Sequence, residues 1–240
     1  MLFHTMNVMC HTTQCDFNND LRASGIVDIL QDAARMHIDK LGYAEDKMKE
    51  LGYYWVLTYE CYEVVSRMPK LGEIIKVNTW PHPKRKLEYD REIEIRDLND
   101  NLLIKAYTNW VIIDREKRRI SKAEDVIIDG DFKTLGNYNE PCKRKLNLGD
   151  YPLLDSYEYK VKLSDLDSNI HVNNAKYLDF IMNSMTIDSY KAFKKIELSF
   201  VKEARLDDII TINHYKNEEG LDCYKGFVNN ELCFEAIITF

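Results

Sequence analysis

The sequence lacks any apolar run long enough to cross a bilayer. A membrane-spanning helix needs roughly 18 or more consecutive apolar residues, whereas the apolar runs here, such as residues 110–113, have the length of a strand. The first residues carry neither a basic start nor a sustained apolar stretch, so they do not predict a secretory signal. We therefore expect no membrane span and a cytoplasmic protein.

Metal-binding cysteine pairs and excess positive charge are missing too. The 6 cysteines include no C-x-x-C pair and no histidine at zinc-finger spacing, so we expect no metal site, reduced thiols and no cofactor. The net charge of −7 argues against non-specific nucleic-acid binding as the main activity. We expect no nucleic-acid partner, and the oligomeric state, including a homodimer, stays open.

The first half of the chain reads as one helix followed by strands. The 240 residues, 45% of them hydrophobic, suffice for one large domain or two ordinary ones. Behind the polar residues 18–20, apolar residues recur at helical spacing over 26–41, and Gly42 offers a stop. Strand-like patterns then cover residues 54–65, 73–80, 87–96 and 102–113.

The second half repeats this order. A turn-rich stretch, 129–152, predicts a linker. After it, we predict a strand at 157–163 and a helix around 177–184. Four strand-like runs follow, at 195–203, 208–215, 221–228 and 231–239.

A short match in register supports duplication. Residues 71–78 (LGEIIKVN) resemble 206–213 (LDDIITIN), and each copy opens a strand that follows a helix and another strand. We predict an α+β fold in which each half packs a helix on an antiparallel sheet. The expected boundaries are 1–128, a linker at 129–152, and 153–240.

The segment from Ser164 to Tyr177 carries the strongest candidates for chemistry. It joins a strand to a helix and includes Asp167, Asn169 and His171, followed by Asn173 and Asn174 at the expected helix start. The free amides of a helix start can hold a developing oxyanion, while a neighbouring carboxylate or imidazole activates water. Capping of the helix explains one or two of these polar residues. It does not explain a histidine flanked by Ile170 and Val172, so we favour a functional site.

The same segment resembles a known enzyme family. Asp-Ser-Asn-Ile-His-Val-Asn-Asn-Ala-Lys-Tyr, residues 167–177, is similar to the catalytic signature of the acyl-acyl-carrier-protein thioesterases, which are built as two tandem hotdog folds. Residues 200–207, 72–80 and 118–122 resemble further segments of that family in the same order. The resemblance implies a thioester hydrolase that releases fatty acid from acyl carrier protein and so ends chain elongation.

Position by position, the resemblance implies a catalytic set of Asp167, Asn169, His171 and Glu203. Asp167 would activate water or attack directly, and the helix start near Asn173 and Asn174 would stabilise the oxyanion. Plant members have cysteine after the glutamate, but this chain has Ala204. A cysteine nucleophile at that position is therefore excluded, and the carboxylates must serve.

Glu203 also has a plain structural interpretation. It continues the alternation of the preceding strand and could face solvent. With the family resemblance, we expect a bulge or strand end that turns Glu203 toward the His171 loop.

The acyl tail and the carrier protein have candidate sites in the first half. That half has no equivalent of the Asp-x-Asn-x-His string, which leaves it free to hold the tail. Residues expected to line the tail pocket, or else to form plain core, are Ile29, Ala33, Trp55 and Leu57. The basic clusters at 84–86, 115–119 and 143–145 are either solvated faces or contacts for acidic acyl carrier protein. We select Lys117, Arg118 and Arg119 as carrier-protein contacts.

Two other functions remain open at this point. An acyl-coenzyme A thioesterase of the same fold would prefer a groove for phosphoadenosine to a broad basic face. A non-catalytic acyl-binding hotdog module is the alternative from another class. The presence of all four implied catalytic residues argues against such a module.

Overall fold

The computed structural model describes residues 2–132, 145–187 and 193–240. Its helices are α1 (Ala23–Lys40), α2 (Glu45–Glu50) and α3 (Asn174–Asn183). Its strands are β1 (His4–Met9), β2 (Tyr53–Val64), β3 (Ile74–Pro81), β4 (Glu88–Arg96), β5 (Leu102–Asp114), β6 (Arg119–Ile120), β7 (Leu153–Lys160), β8 (Lys195–Phe200), β9 (Ile209–Lys216), β10 (Asp222–Val228) and β11 (Glu231–Thr239). None of these helices is both long and apolar enough to cross a membrane.

One continuous antiparallel sheet organises the molecule. Its strand order is β1-β3-β4-β5-β2-β8-β11-β10-β9-β7, with β6 paired to β5. The order is symmetric about the β2-β8 pair: the first-half order β1-β3-β4-β5-β2 is mirrored by the second-half order β7-β9-β10-β11-β8. The central pair, β2 and β8, joins the halves through a register that sets Cys61 opposite Glu197. The duplicated α+β arrangement expected from the sequence therefore forms a single sheet.

The helices α1 and α3 pack on one face of this sheet and on each other. The main core lies between them and the strands, and includes Ile26, Leu30, Tyr62, Leu178 and Phe180, each at most 1% exposed. The Tyr62 hydroxyl donates to the Ala23 carbonyl at 3.3 Å and ties β2 to the start of α1. This packing fixes the position of both helix starts relative to the sheet centre.

The structure differs from the sequence-based expectations at several element ends. The strand β1 and the short α2 and β6 were not predicted, and the strand predicted over 195–203 ends at Phe200. Helix α1 begins at Ala23, after Arg22, so the polar residues 18–20 do not cap it. The linker predicted at 129–152 lies partly outside the described residues.

The loop before each helix has the same backbone in both halves. In the second half, the Asp167 carboxylate accepts the amides of residues 169 and 171, at 2.8 and 3.2 Å. In the first, the Asp16 carboxylate accepts the amides of Asn18 and Asp20, at 2.8 and 3.0 Å. The fourth residue of each loop has positive φ, 60° at Asn19 and 64° at residue 170. The first half therefore does carry an equivalent of the string, Asp-x-Asn-x-Asp, which the sequence comparison missed.

Glu60 is a buried carboxyl in the middle of β2. It is 1% exposed, and neither carboxyl oxygen has a hydrogen-bond partner among the described residues. Burial raises the pKa of Glu60 to about 8, with smaller contributions from Cys61 and Asp28. Glu60 is therefore largely protonated at neutral pH, which avoids burying an unpaired negative charge.

We expect Glu60→Gln to remove a loss of stability at alkaline pH. The folded pKa lies above the ordinary 4.5, so the folded state binds this proton more tightly, and the free energy of unfolding decreases as pH rises from 4.5 toward 8. Between pH 4.5 and pH 9, the free energy of unfolding of the variant should increase relative to that of the wild type by roughly 2–5 kcal/mol, at about 1.4 kcal/mol per pKa unit. Urea unfolding at several pH values measures this gain.

Glu63→Gln is the matched control on the same strand. The Glu63 side chain is 39% exposed and pairs with Lys105 at 2.9 Å. Its replacement should leave the pH dependence of unfolding nearly unchanged. Parallel pH curves for Glu60→Gln and the wild type would contradict the assignment.

Candidate active site

The Asp167 loop presents one free carboxylate oxygen. Asp167 Oδ1 accepts the backbone amides of residues 169 and 171, and the Asp167 amide donates to the His171 carbonyl at 2.8 Å. Oδ2 makes no hydrogen bond with the described residues. Because the loop amides fix the carboxylate through Oδ1, Oδ2 has a defined orientation and remains available to a substrate.

Glu203 reaches the same loop from beyond the end of β8. The Val172 amide donates to the Ala204 carbonyl at 2.9 Å, and the Ala204 amide donates to the Tyr177 hydroxyl at 3.2 Å. These bonds hold the segment against α3 and place Glu203 Oε2 3.2 Å from His171 Nε2. The Glu203 side chain is 49% exposed and the His171 side chain 23% exposed. Glu203 thus follows a strand end, and does not simply continue the alternation of the strand.

The start of α3 combines capping with a free amide. The Asn173 side chain accepts the Ala175 amide at 2.9 Å, so Asn173 caps the helix. The Asn174 amide has no hydrogen-bond partner among the described residues. A free first-turn amide carries the partial positive charge that favours an oxyanion.

Two cavities meet at this loop. The first, here called the His171 cavity, measures about 340 Å³ and is lined by His171, Glu203 and Asn174. The second, the Arg91 cavity, measures about 710 Å³ and runs between α1 and the first half of the sheet. Residues that line both cavities are Trp55, Asp167 and Asn169. A substrate centred on Asp167 therefore has one cavity on each side.

The four residues expected in the tail pocket separate in the structure. Trp55 lines both cavities and Leu57 lines the His171 cavity. Ile29 and Ala33 line neither, and at 2% and 0% exposure they pack in the main core. The reason is helical geometry, because they lie on the apolar stripe that faces the sheet, whereas the cavity follows the adjoining, more polar edge of α1.

The three basic residues predicted to contact the carrier protein line two different surface depressions. Arg118 lines the His171 cavity. Lys117 and Arg119 line a different groove, where Lys117 lies 3.4 Å from Asp114. Of the other basic clusters, residues 143 and 144 lie outside the described part of the chain.

The His171 cavity includes Arg115, which the sequence analysis placed in the basic cluster 115–119 but did not select as a carrier contact. Arg115 lines it beside Arg118, donates to the Tyr53 carbonyl at 2.9 Å, and lies 5.3 Å from the centre of the Tyr54 ring. Burial and the charge of Glu203 raise the pKa of Tyr54. The aromatic run after α2 was the available signal, since aromatic side chains suit a substrate cavity as well as a core.

No cysteine among the described residues lines either cavity. Ala204, which follows Glu203, is 0% exposed and lines neither cavity. Burial raises the pKa of Cys10 to about 12 and that of Cys233 to about 11, so both stay protonated thiols at neutral pH. Within the described ranges, no group of three His, Cys, Asp or Glu residues is arranged to hold a metal ion.

Family models match both halves of the chain. The model for the acyl-ACP thioesterase N-terminal domain matches residues 2–130, and the model for the C-terminal domain matches 154–239. The chain belongs to the acyl-ACP thioesterase family. The family resemblance inferred from residues 167–177 is therefore confirmed.

Relatives and solved structures agree with this membership. The chain is 30% identical over 171 residues to a chloroplastic acyl-[acyl-carrier-protein] hydrolase of Cuphea viscosissima, covering 66% of this chain and 41% of that protein. It is 24% identical over 204 residues to the chloroplastic oleoyl-acyl carrier protein thioesterase 2 of Arabidopsis thaliana, covering 77% and 55%. The chain thus spans about half the length of these curated relatives.

The likeness to solved structures confirms the predicted α+β double hotdog fold. An acyl-ACP thioesterase from Bacteroides thetaiotaomicron superposes with a TM-score of 0.83 at 22% identity, covering 99% of this chain and 97% of the other. The 12:0-ACP thioesterase from Umbellularia californica gives 0.79 at 18% identity, covering 100% and 97%.

Proposed function

We propose that this chain hydrolyses the thioester of fatty acyl groups carried on acyl carrier protein and releases free fatty acid. The observation that carries the proposal is the convergence of Asp167 with its free Oδ2, the His171–Glu203 pair, and the Asn174 amide on one cavity. Family membership along both halves supports the same activity.

The net reaction at the acyl carbon forms one carbon–oxygen bond and breaks the carbon–sulfur bond. Water, or the Asp167 carboxylate itself, attacks the thioester carbonyl carbon, and the carbon–sulfur bond breaks to release the thiol of the phosphopantetheine arm. If Asp167 attacks, water then cleaves the resulting anhydride. Both routes use the free Oδ2 of Asp167.

His171 and Glu203 handle the proton in this scheme. With the Glu203 carboxylate as its hydrogen-bond acceptor, neutral His171 carries its proton on Nε2, and Nδ1 is the nitrogen that can accept a proton. It can then accept a proton released from water and pass one to the departing sulfur. The Asn169 side chain and the Asn174 amide are the donors proposed for the carbonyl oxygen as it gains negative charge.

In this proposal each of the two cavities binds a different part of the substrate. The His171 cavity, with Arg115 and Arg118 at its rim, takes the phosphopantetheine arm, because guanidinium groups suit its phosphate. The Arg91 cavity then takes the acyl tail, with Trp55 at the junction and Leu57 on the side of the His171 cavity. An acidic carrier protein would dock against the same basic rim.

Free thiol release from purified protein tests the proposal. We expect acyl carrier protein thioesters to be cleaved with a higher kcat/KM than coenzyme A thioesters of equal chain length. The preference should weaken as salt rises through ~0.15 M, where the screening length is about 8 Å. A preference for coenzyme A that does not respond to salt would favour the coenzyme A alternative, and no thioester cleavage at all would favour a binding module.

We expect Arg118→Glu to raise KM for acyl carrier protein thioesters on the order of 10-fold at low salt while kcat changes little. The reason is that Arg118 borders the His171 cavity, where it attracts the arm and its carrier. Arg119→Glu makes the same change of charge, but Arg119 lines the separate groove. Equal effects of both variants would show that net charge, and not the cavity rim, governs carrier binding.

A further inference from the structure

The Asp167 loop carries a large apolar side chain that lies outside the core. Ile170 stands between Asn169 and His171 and is 68% exposed. It packs in none of the three apolar clusters that the described residues form. A single exposed apolar side chain is common on protein surfaces. At Ile170, however, the backbone conformation also disfavours this type of residue.

The backbone of Ile170 is strained for a β-branched side chain. Its φ is 64°, in the left-handed region that glycine and asparagine adopt most readily. The counterpart loop of the first half has asparagine at this point, with φ 60° at Asn19. In each loop the amide of this residue donates at 3.1 Å to the carbonyl of the loop aspartate, Asp167 or Asp16. The two loops thus share one geometry, which isoleucine stabilises less than asparagine does.

The position of Ile170 connects this strain with the site. Strained residues persist where the surrounding structure holds them and where a function uses their side chains. Asn169 lines both cavities and His171 lines the His171 cavity, whereas Ile170 lines neither. Its exposed side chain therefore lies on the outer surface beside the opening of the His171 cavity. There it is placed to contact a molecule that docks against the opening.

The surface around this opening combines apolar and basic side chains. The Val172 amide donates to the Ala204 carbonyl at 2.9 Å and ties the loop to the segment after β8. That segment presents Val201, which lines the His171 cavity and is 55% exposed. Arg115 and Arg118 line the same cavity, and neither pairs with a carboxylate in the described part of the chain. The entrance surface, as it is called below, consists of Ile170, Val201, Arg115 and Arg118.

We propose that Ile170 is an apolar anchor for the acyl carrier protein that delivers the thioester, an inference that rests on the function proposed above. The carrier is acidic, so the guanidinium groups of Arg115 and Arg118 attract and orient it. Protein interfaces bury apolar side chains at the centre and place charged ones at the rim. Ile170 and Val201 provide the apolar side chains of the entrance surface. The cavity itself is then left to the phosphopantetheine arm.

The test replaces Ile170 with the residue of the counterpart loop. Ile170→Asn relieves the backbone strain and removes the anchor, so stability should increase while carrier binding weakens. We expect Tm to rise by about 2–4 °C. We expect KM for acyl carrier protein thioesters to rise on the order of 10-fold with little change in kcat. Ile170→Gly relieves the same strain and should behave alike.

A substrate without carrier protein separates docking from binding of the arm. For an acyl-pantetheine thioester, kcat/KM of Ile170→Asn should fall far less than for the carrier-borne thioester, because the protein that Ile170 contacts is missing. A loss of equal size on both substrates would assign Ile170 to the arm or to catalysis and would overturn the proposal. A higher Tm with an unchanged KM for carrier thioesters would overturn it too.

Two control variants separate the site from the chemical change. Leu98→Asn removes an apolar side chain of nearly equal exposure, 66%, from the turn between β4 and β5, where Leu98 lines neither cavity. Its KM should match the wild type. Asn19→Ile introduces the strained residue into the first-half loop, and should lower Tm without altering KM. Equal increases of KM in Leu98→Asn and Ile170→Asn would show a general effect of surface apolarity and would contradict the proposal.

A binding measurement tests the anchor without hydrolysis. Acyl carrier protein loaded with an acyl amide, which replaces the cleavable thioester, is titrated by calorimetry into wild type and Ile170→Asn. Kd should be on the order of 10-fold higher for the variant. Equal Kd values would overturn the role of Ile170. If Ile170→Asn changed self-association in sedimentation at equal carrier affinity, the entrance surface would belong to a second copy of the chain and the proposal would be wrong.

The outcomes distinguish the two proposals. A higher Kd for Ile170→Asn combined with no hydrolysis of any acyl thioester would uphold carrier docking at Ile170 and overturn the enzymatic function. Hydrolysis of carrier thioesters by wild type and Ile170→Asn with equal KM values would uphold the enzymatic function and overturn the anchor.

Discussion

Asp167→Asn is expected to lower kcat for acyl carrier protein thioesters by ~10²–10⁴-fold, the usual loss when a positioned acid or base is removed. The amide oxygen of asparagine can still accept the loop amides of residues 169 and 171, which Oδ1 of Asp167 accepts now. The loop should therefore keep its shape while the free anionic oxygen is lost. Initial rates of thiol release at saturating substrate measure the effect.

Asp16→Asn is a control built into the same chain. Asp16 accepts the corresponding loop amides in the first half, and the histidine position is taken by Asp20, which pairs with Lys70 at 2.6 Å. The substitution makes the same chemical change in the same backbone, so any shift in thermal stability should match that of Asp167→Asn. Its kcat should stay near wild type. Near-normal turnover in a folded Asp167→Asn protein would remove Asp167 from the mechanism.

Glu203→Gln is expected to reduce kcat by ~10²–10³-fold and to change the pH profile. Glutamine can still accept a hydrogen bond from His171 Nε2, whose present partner lies 3.2 Å away. It no longer provides the negative charge that stabilises the imidazolium formed when His171 accepts a proton during turnover, so the proton transfer should become slower. The pH dependence of kcat/KM separates this positioning effect from a loss of folding.

Glu231→Gln removes a neighbouring carboxylate without touching His171. Glu231 pairs with Lys202 and is 63% exposed. If Glu203 acts only through its charge at the surface, both variants should lower activity alike, and the assignment would be wrong. A wild-type pH profile and kcat in Glu231→Gln, beside a reduced kcat in Glu203→Gln, is the expected pattern.

The candidate catalytic residues of the Asp167 loop could be predicted from the sequence because they are contiguous in the chain. Asp167, Asn169 and His171 lie within one loop, and Asn173 and Asn174 begin the next helix, so loop and helix geometry alone bring them together. The counterpart loop at Asp16 escaped detection because its histidine position is aspartate, although the backbone hydrogen bonds are the same.

The sequence by itself determined most of the elements and their repetition, because strand and helix periods are local properties of the chain. It could not determine which face of α1 borders the Arg91 cavity, so it left open whether Ile29 and Ala33 line a pocket or form core, and the structure places them in the core. The pairing of β2 with β8, the contact of Glu203 with His171, and the buried charge of Arg91 are long-range relations. Only tertiary packing decides them, because burial and partners depend on chain segments far apart in sequence.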